Sequence, residues 1–135
     1  MDKDIINPPG LAPPRGFNHG IRVDGGQLLF LAGQDGADET ETIVAPGDLV
    51  AQFEQVLDNL QTVVREAEGE MDDIVKLNVF VADREEYVAN AEPLGEVFGS
   101  YFEEYPTMAL FEVSGFFKTD ALIELEGMAV LDPEA

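Results

Sequence analysis

The stretch that decides the fold is Ile74-Val75-Lys76-Leu77-Asn78-Val79-Phe80-Val81 (IVKLNVFV), in the middle of the chain. Its polar residues Lys76 and Asn78 each stand between two apolar residues, which gives a period of two. This period is typical of a β-strand with one buried face. The buried face is predicted to carry Val75, Leu77, Val79 and Val81.

Before this strand, the apolar residues recur at intervals of three and four, which predicts an amphipathic helix of about five turns. The apolar stripe consists of Phe53, Val56, Leu57, Leu60, Val63, Val64 and Ala67. Asp48 has the side chain of an N-cap residue, and Gly69 is the residue type that commonly ends a helix. A helix is therefore predicted between these two positions.

After the strand, a second helical pattern runs from Tyr87 to Phe102 and is interrupted by Pro93. Proline is tolerated in the first turn of a helix but not in its interior. We therefore predict a short turn followed by a helix that begins near Pro93.

Further strands are predicted toward both ends of the chain. Gln27–Gly33 (QLLFLAG) follows the turn residues Asp24-Gly25-Gly26, which predicts a hairpin with Ile21–Val23. The proline-rich residues before this hairpin are predicted to be an extended lead-in. The last two strands are Met108–Val113 and Ala121–Leu131, the latter with Ile123, Leu125, Gly127 and Ala129 on one face.

The predicted order β-β-α-β-α-β-β describes one α+β domain over residues 1–135, with two helices packed on one face of a mixed sheet. No further element of the chain is predicted to cover the other face. A partner subunit is the natural candidate to cover it.

Composition excludes several classes of protein. The chain has no cysteine, which excludes disulfides, thiolate metal sites and a cysteine nucleophile. No apolar run approaches the roughly 18 residues of a membrane span, and no signal peptide is evident, so we expect a cytoplasmic protein that does not bind membranes. No metal site and no cofactor are predicted.

The charge is extreme, with 28 Asp and Glu against 7 Lys and Arg, a formal net charge of −21. Such a chain repels phosphate backbones, so nucleic acid is not expected as a partner. The spread of carboxylates resembles that of proteins adapted to high salt, where the Debye length falls to roughly 3 Å. The alternative is an unusually acidic protein from an ordinary environment.

An ordered set of short motifs resembles the RidA (reactive intermediate deaminase A, or YjgF) family, historically also labelled endoribonuclease L-PSP, over essentially the whole chain. The motifs are Gly16-Phe17-Asn18-His19, Leu31-Ala32-Gly33-Gln34, Gly47-Asp48, Leu57-Asp58-Asn59-Leu60, residues 71–81, Tyr105-Pro106 with Phe111-Glu112-Val113, and Ile123-Glu124-Leu125-Glu126. The resemblance implies a chorismate-mutase-like fold, a homotrimer with a central barrel, and small-molecule clefts between subunits.

The resemblance also implies hydrolysis of reactive enamines and imines such as 2-aminoacrylate. In that family an arginine follows the Tyr-Pro pair by two residues and forks onto the substrate carboxylate. Here Met108 stands at that position, so the chain resembles a divergent member without the catalytic arginine. Glu124 matches the catalytic glutamate that positions water, Phe17 matches an aromatic residue that is usually tyrosine, and Gly33 keeps a backbone position that lines the cleft.

Two further residues are candidates for substrate binding near Phe17. His19, the only histidine, could supply acid–base capacity near neutral pH. Arg15 could replace the missing cation, although a loop arginine in so acidic a chain is expected to pair with a surface carboxylate. Met108, Glu124 and His19 also have ordinary structural interpretations, as a core residue, a solvated carboxylate and a surface residue.

Two hypotheses from different classes follow. The first is a RidA-like hydrolase of a reactive imine, enamine or related electrophile lacking the carboxylate that typical members recognise, with weak or absent activity on 2-aminoacrylate. The second is a non-catalytic trimer that binds a metabolite in the same clefts or stabilises other proteins. An endoribonuclease is disfavoured by the net charge of −21.

Overall fold

The computed structural model of the chain describes residues 1–133. The strands are β1 (Asp2–Ile6), β2 (Gly20–Asp24), β3 (Gln27–Asp35), β4 (Ile74–Val81), β5 (Thr107–Glu112) and β6 (Ile123–Leu131). The helices are α1 (Leu49–Glu66), α2 (Arg84–Ala89) and α3 (Ala91–Tyr101), with one 3₁₀ turn at Met71–Asp73.

Four strands form the main sheet in the order β3-β6-β4-β5. β6 is antiparallel to both β3 and β4, whereas β5 is parallel to β4. The sheet is therefore mixed, as predicted. Helices α1 and α3 pack together, and one core joins them to the sheet through Phe53, Leu60, Leu77, Phe98 and Leu125.

The predicted hairpin between residues 21–23 and 27–33 is wrong. β2 pairs with β1 in a separate two-stranded sheet, while β3 pairs with β6. The two glycines between β2 and β3 both have positive φ, and a Cβ on Gly26 would lie 2.6 Å from Cγ1 of Val130. The residues Asp24-Gly25-Gly26 do form a turn, as predicted, but this turn connects a strand of one sheet to a strand of the other.

β1 also lies in the segment predicted as a lead-in without a strand. The prolines at positions 8 and 9 begin one residue after its end, so the short run Asp2–Ile6 does not stand out from the proline-rich segment.

Helix α1 begins as predicted, because the Asp48 side chain accepts a hydrogen bond from the backbone N–H of Ala51 at 3.0 Å. Such a cap contributes about 1 kcal/mol to helix stability. At the other end the left-handed residue is Glu68, with φ of +66°, and the Gly69 N–H donates to the Val64 carbonyl at 2.9 Å. Gly69 is needed for space, since a Cβ there would lie 2.5 Å from Cδ2 of Leu131.

The inward face of β4 differs from the prediction at one end. The pairing of β4 with β6 shifts register between Ile74 and Lys76, and this irregularity places Ile74, not Val75, in the core. Leu77, Val79 and Val81 are buried as predicted. In the same way, Val63 of the predicted α1 stripe is exposed.

The second helical pattern divides into α2 and α3. Asp83 caps α2 by accepting from the backbone N–H groups of Glu85 and Glu86. Pro93 lies in the first turn of α3, where its missing N–H leaves no hydrogen bond unmade. The predicted break near Pro93 is therefore confirmed, with α3 beginning two residues earlier.

The sheet face away from the helices carries large apolar side chains in water. Leu28 is 63% exposed, Phe30 69% and Phe111 48%. Phe80 stacks on Phe111 with ring centroids 5.7 Å apart. Within residues 1–133 no helix is long and apolar enough to cross a membrane.

Candidate functional site

The first cavity lies between the loop before β2, strand β5 and the two short helices, and has a volume of about 460 Å³. Its lining is mostly apolar. The residues are Arg15, Gly16, Phe17, Phe53, Val79, Arg84, Tyr87, Val88, Ala91, Leu94, Gly95, Phe98, Met108, Ala109 and Leu110.

Met108 lines this cavity and also packs against the edge of the hydrophobic core. It is the neighbour of Leu77 in the parallel β4–β5 ladder, so its side chain points to the helix-covered face. It is partly buried and packs against the core. Met108 thus has the ordinary packing role of a residue at the edge of the core and also lines a cavity of one chain, while its place in a cleft between subunits stays a prediction.

Phe17 reaches the same cavity because its loop is fixed to the segment that leads into β5. The Asn18 side-chain amide donates to the Tyr105 carbonyl at 2.7 Å, and the Asn18 N–H donates to the Pro106 carbonyl at 3.1 Å. Asn18 thus fixes the loop that carries Phe17. The sequence analysis gave no role to Asn18, although this residue lies within one of the motifs that resemble the family.

His19 does not line either of the two cavities described here. Its ring meets Phe17 edge-on, with centroids 5.2 Å apart and an interplanar angle of 87°. Nε2 of His19 is hydrogen-bonded to the Ala12 carbonyl at 2.7 Å. His19 therefore contacts the Phe17 ring from outside these cavities, and its role in substrate binding stays a prediction.

The second cavity, of about 740 Å³, lies beside β6 and the end of β3. It is more polar than the first. The residues are Gly33, Gln34, Asp35, Ala37, Asp38, Glu39, Glu41, Gln55, Asn59, Thr62, Val63, Phe117, Lys118 and Glu124.

Glu124 projects into this second cavity over the backbone of Gly33. A Cβ at position 33 would lie 3.1 Å from the Glu124 carboxyl group. The β3–β6 register shifts between Leu31 and Gln34, which places Gly33 in a local irregularity of the ladder. Glycine thus leaves the room that the carboxyl group of Glu124 occupies.

Burial raises the pKa of the Glu124 carboxyl group, and the carboxylates of Asp35 and Glu126 raise it further, while Lys118 opposes them. Lys118 donates to Asp35 at 2.9 Å, and this hydrogen bond raises the pKa of the Lys118 ammonium. A carboxyl group with a raised pKa can exchange protons closer to neutral pH than an ordinary glutamate can.

Asp35 and Lys118 are functional candidates that the sequence interpretation missed. Asn59 holds the Asp35 end of β3 by donating to the backbone carbonyls of Asp35 and Ala37. The fully buried Gln52 holds the segment between Lys118 and β6, because its side chain donates to the Asp120 carbonyl and accepts from the Leu122 N–H. The one available signal was that Lys118 is one of only three lysines in a very acidic chain.

The predicted site residues therefore fall into two groups. Arg15, Phe17 and Met108 line the first cavity, and Gly33 with Glu124 lines the second. The two linings share no residue. One chain brings together each half of the predicted site but not the two halves.

Arg84, at the start of α2, is a second arginine of the first cavity and was not predicted. Arg15 lines the cavity, as considered, and the surface carboxylate expected to pair with it is not found among residues 1–133. Over residues 1–133 neither Arg15 nor Arg84 forms an ion pair. In that same part of the chain, no group of three or more His, Asp or Glu side chains is arranged to hold a metal ion.

Residues 10–131 match the family model described as endoribonuclease L-PSP. The 3-aminoacrylate deaminase RutC of Acinetobacter baylyi is 31% identical over 131 residues, which cover 96% of this chain and 98% of that protein.

Two solved structures are similar over nearly the whole chain. YyfB of Yersinia pestis, a protein of unknown function in the conserved Rid family, superposes with a TM-score of 0.88 at 31% identity, covering 97% of this chain and 100% of that one. TdcF of E. coli with bound serine has a TM-score of 0.69 at 29% identity, covering 96% and 99%.

Proposed function

Because this chain belongs to the RidA/YjgF family, whose family model is described as endoribonuclease L-PSP, we propose that it binds and hydrolyses a reactive imine or enamine. The site lies in clefts between the subunits of a homotrimer. Among the relatives, the A. baylyi protein is a deaminase of 3-aminoacrylate, and a crystal structure of TdcF holds serine. Both molecules are small and carry a carboxylate.

The division of the site into two cavities is the observation that carries the proposal. Phe17 and Met108 line one cavity of a chain, whereas Gly33 and Glu124 line another. A complete site forms when the first cavity of one subunit faces the second cavity of its neighbour. Association also covers the sheet face that carries the exposed side chains of Leu28, Phe30 and Phe111.

Glu124 is the proton carrier of the proposed reaction. Water adds to the carbon of the C=N bond while Glu124 accepts a proton from it. Glu124 then gives this proton to the nitrogen, which yields a carbinolamine. In the second stage Glu124 moves the hydroxyl proton of the carbinolamine to the nitrogen, the C–N bond breaks, the C=O bond forms, and the carbonyl compound and ammonia leave. The raised pKa of Glu124 suits both proton transfers near neutral pH.

Met108 limits which substrates this site can use. A thioether offers no charge and no hydrogen-bond donor to a substrate carboxylate at this position. An arginine at this position, as in typical members of the family, would form a charge-assisted hydrogen bond with the substrate carboxylate, worth about 1.5–3 kcal/mol. We therefore expect weak turnover of 2-aminoacrylate, whose carboxylate lies close to its reacting carbon.

The word endoribonuclease in the family description does not extend to this chain in our proposal. An RNA strand brings one negative charge per nucleotide to a protein with a net charge of −21. Affinity for nucleic acids depends largely on lysine and arginine contacts to phosphate, and the chain has seven such residues in all.

The test is release of ammonia and carbonyl product from imines that an amino-acid oxidase generates in situ, with and without the protein. We expect acceleration by the wild-type protein and its loss in Glu124→Gln. Glu96→Gln, which removes an exposed carboxylate on α3 outside both cavities, is the matched control and should retain activity. If no imine or enamine is turned over but the cleft still binds small molecules, the non-catalytic alternative holds instead.

A further inference from the structure

The first cavity concentrates positive charge in a protein that has very little of it. The chain has four arginines and three lysines against 28 acidic residues, yet two of those arginines, Arg15 and Arg84, line this one cavity. No aspartate or glutamate is among its lining residues. Acidic residues outnumber basic ones four to one in the chain, 28 to 7, so a lining with this composition would hold more carboxylates than cations.

Both arginines are available to a ligand. Three of the other five cations are paired: Arg22 with Asp4, Lys118 with Asp35, and Lys3 with Glu104. Arg65 and Lys76 form no ion pair among residues 1–133 either, but neither of them lines this cavity. Arg15 and Arg84 are exposed and form no ion pair with any residue from 1 to 133. The carboxylate of Glu112 accepts from the backbone N–H of Arg84 at 2.8 Å and not from its guanidinium.

Resting on the proposed function, we infer that Arg15 and Arg84 bind the carboxylate of a substrate that has a sizeable apolar body. The body packs against the apolar lining, which includes Phe17, Leu94 and Met108. The volume of about 460 Å³ lies within the range of roughly 300–1,000 Å³ of small-molecule sites. The charge is thus bound by residues other than position 108, which suits a larger substrate than a three-carbon enamine. This revises the expectation of a substrate without a carboxylate.

A carboxylate fits these residues better than a polyanion does. A planar guanidinium donates two parallel hydrogen bonds to a carboxylate, a geometry that arginine provides and lysine does not. A single negative charge is also repelled least by the surrounding protein. The aromatic and aliphatic lining then favours ligands with an apolar body over small hydrophilic anions, because a small anion does not remove the apolar lining from water.

The experiment is calorimetric titration of the full-length protein, at one fixed KCl concentration, with three probes. Phenylacetate has both a carboxylate and an apolar ring, phenylacetamide is its neutral analogue, and acetate lacks the ring. We expect phenylacetate to bind on the order of tenfold more tightly than either of the others.

Arg15→Gln and Arg84→Gln should each weaken phenylacetate binding about three- to tenfold, since both side chains are solvent-exposed and screened. Arg65→Gln is the matched control, because Arg65 is also exposed, lies on α1 and lines neither cavity. It should leave binding unchanged. Circular dichroism of each variant shows whether it is folded.

The inference is overturned if phenylacetate does not bind, if phenylacetamide binds equally well, or if Arg65→Gln weakens binding as much as Arg84→Gln does. None of these measurements requires turnover. Loss of imine hydrolysis in Glu124→Gln with no arginine effect on binding would leave the proposed function intact and reject this inference alone.

Discussion

Glu124 on β6 lies directly across the ladder from Asp35 on β3, and Lys118 donates to the Asp35 carboxylate at 2.9 Å. These two carboxylates and one ammonium lie at the second cavity, whose lining holds three further carboxylates, those of Asp38, Glu39 and Glu41. Asp35 raises the pKa of Glu124, and Lys118 lowers it. The two neighbours act on the proposed proton carrier in opposite directions.

This arrangement predicts opposite shifts of the pH profile in two variants. If Glu124 must be ionised to accept a proton from water, activity rises as pH passes upward through its raised pKa. Lys118→Gln removes the cation that favours ionisation and should move this acid limb to higher pH. Asp35→Asn removes a repelling carboxylate and also releases Lys118, so it should move the limb to lower pH.

The measurement is kcat/KM against pH with one imine substrate. Glu96→Gln, an exposed carboxylate on α3 outside both cavities, controls for the change of net charge. Shifts of the same sign in Lys118→Gln and Asp35→Asn would contradict the assignment of Glu124 as the titrating group.

Gly33→Ala should reduce turnover strongly with a small effect on stability. The new Cβ would lie 3.1 Å from the Glu124 carboxyl group, which is tight enough to move that flexible side chain away. Gly33 has no positive φ, so backbone strain is not expected. Gly10→Ala, where nothing lies within 4 Å of the new Cβ, is the control. Full activity of Gly33→Ala would mean that the position of Glu124 over Gly33 has no catalytic importance.

Much of the fold follows from local periodicity, because strands and helices that line one core repeat their apolar residues at fixed intervals. The alternation in β4 and the stripe in α1 are such cases. The partner of β2 is not encoded locally, since Asp24-Gly25-Gly26 specifies a turn but not which sheet receives the next strand.

Residues of the candidate site could be predicted from the sequence only where they lie within a motif that resembles the family. Arg84 stands in Asp83-Arg84-Glu85-Glu86, a segment typical of a solvated helix start, and only the packing of α2 beside β5 places it at a cavity. Lys118 lies in a loop without any periodic pattern. Its pairing with Asp35 joins residues 83 positions apart, which no local pattern indicates.

The protein should be a trimer in solution, with a mass about three times the 14.7 kDa of one chain. Phe30→Asp should dissociate it, because it places a charge in the exposed apolar face that association is expected to bury. Leu11→Asp adds the same charge to another exposed apolar residue, outside the sheet, and should leave the trimer intact. Light scattering at high salt is the measurement. A wild-type mass of one chain would reject both the trimer and the shared clefts.

Stability should rise with salt. In the proposed trimer, three chains of net charge −21 come together, and screening weakens their mutual repulsion. Thermal melts followed by circular dichroism from low to molar KCl should show an increasing Tm. Glycine betaine at matched osmolality is the control, because a zwitterion without net charge provides little screening. Equal Tm values in KCl and betaine would contradict the interpretation of the acidic composition as an adaptation to salt.

Met108→Arg should raise deamination of 2-aminoacrylate on the order of 10–150-fold, the equivalent of one charge-assisted contact of about 1.5–3 kcal/mol. The gain is expected because position 108 lines the cavity that we expect to face Glu124 of a neighbouring subunit.

Leu110→Arg is the matched control. It adds the same side chain to the same strand and cavity, two residues further on, and should give no such gain. The measurement is ammonia release with enamine generated in situ. If wild-type protein already equals a family member that has arginine at this position, then Arg15 or Arg84 supplies the contact for small substrates too. A gain of equal size in Leu110→Arg would show that added positive charge, and not the position of the guanidinium, limits this reaction.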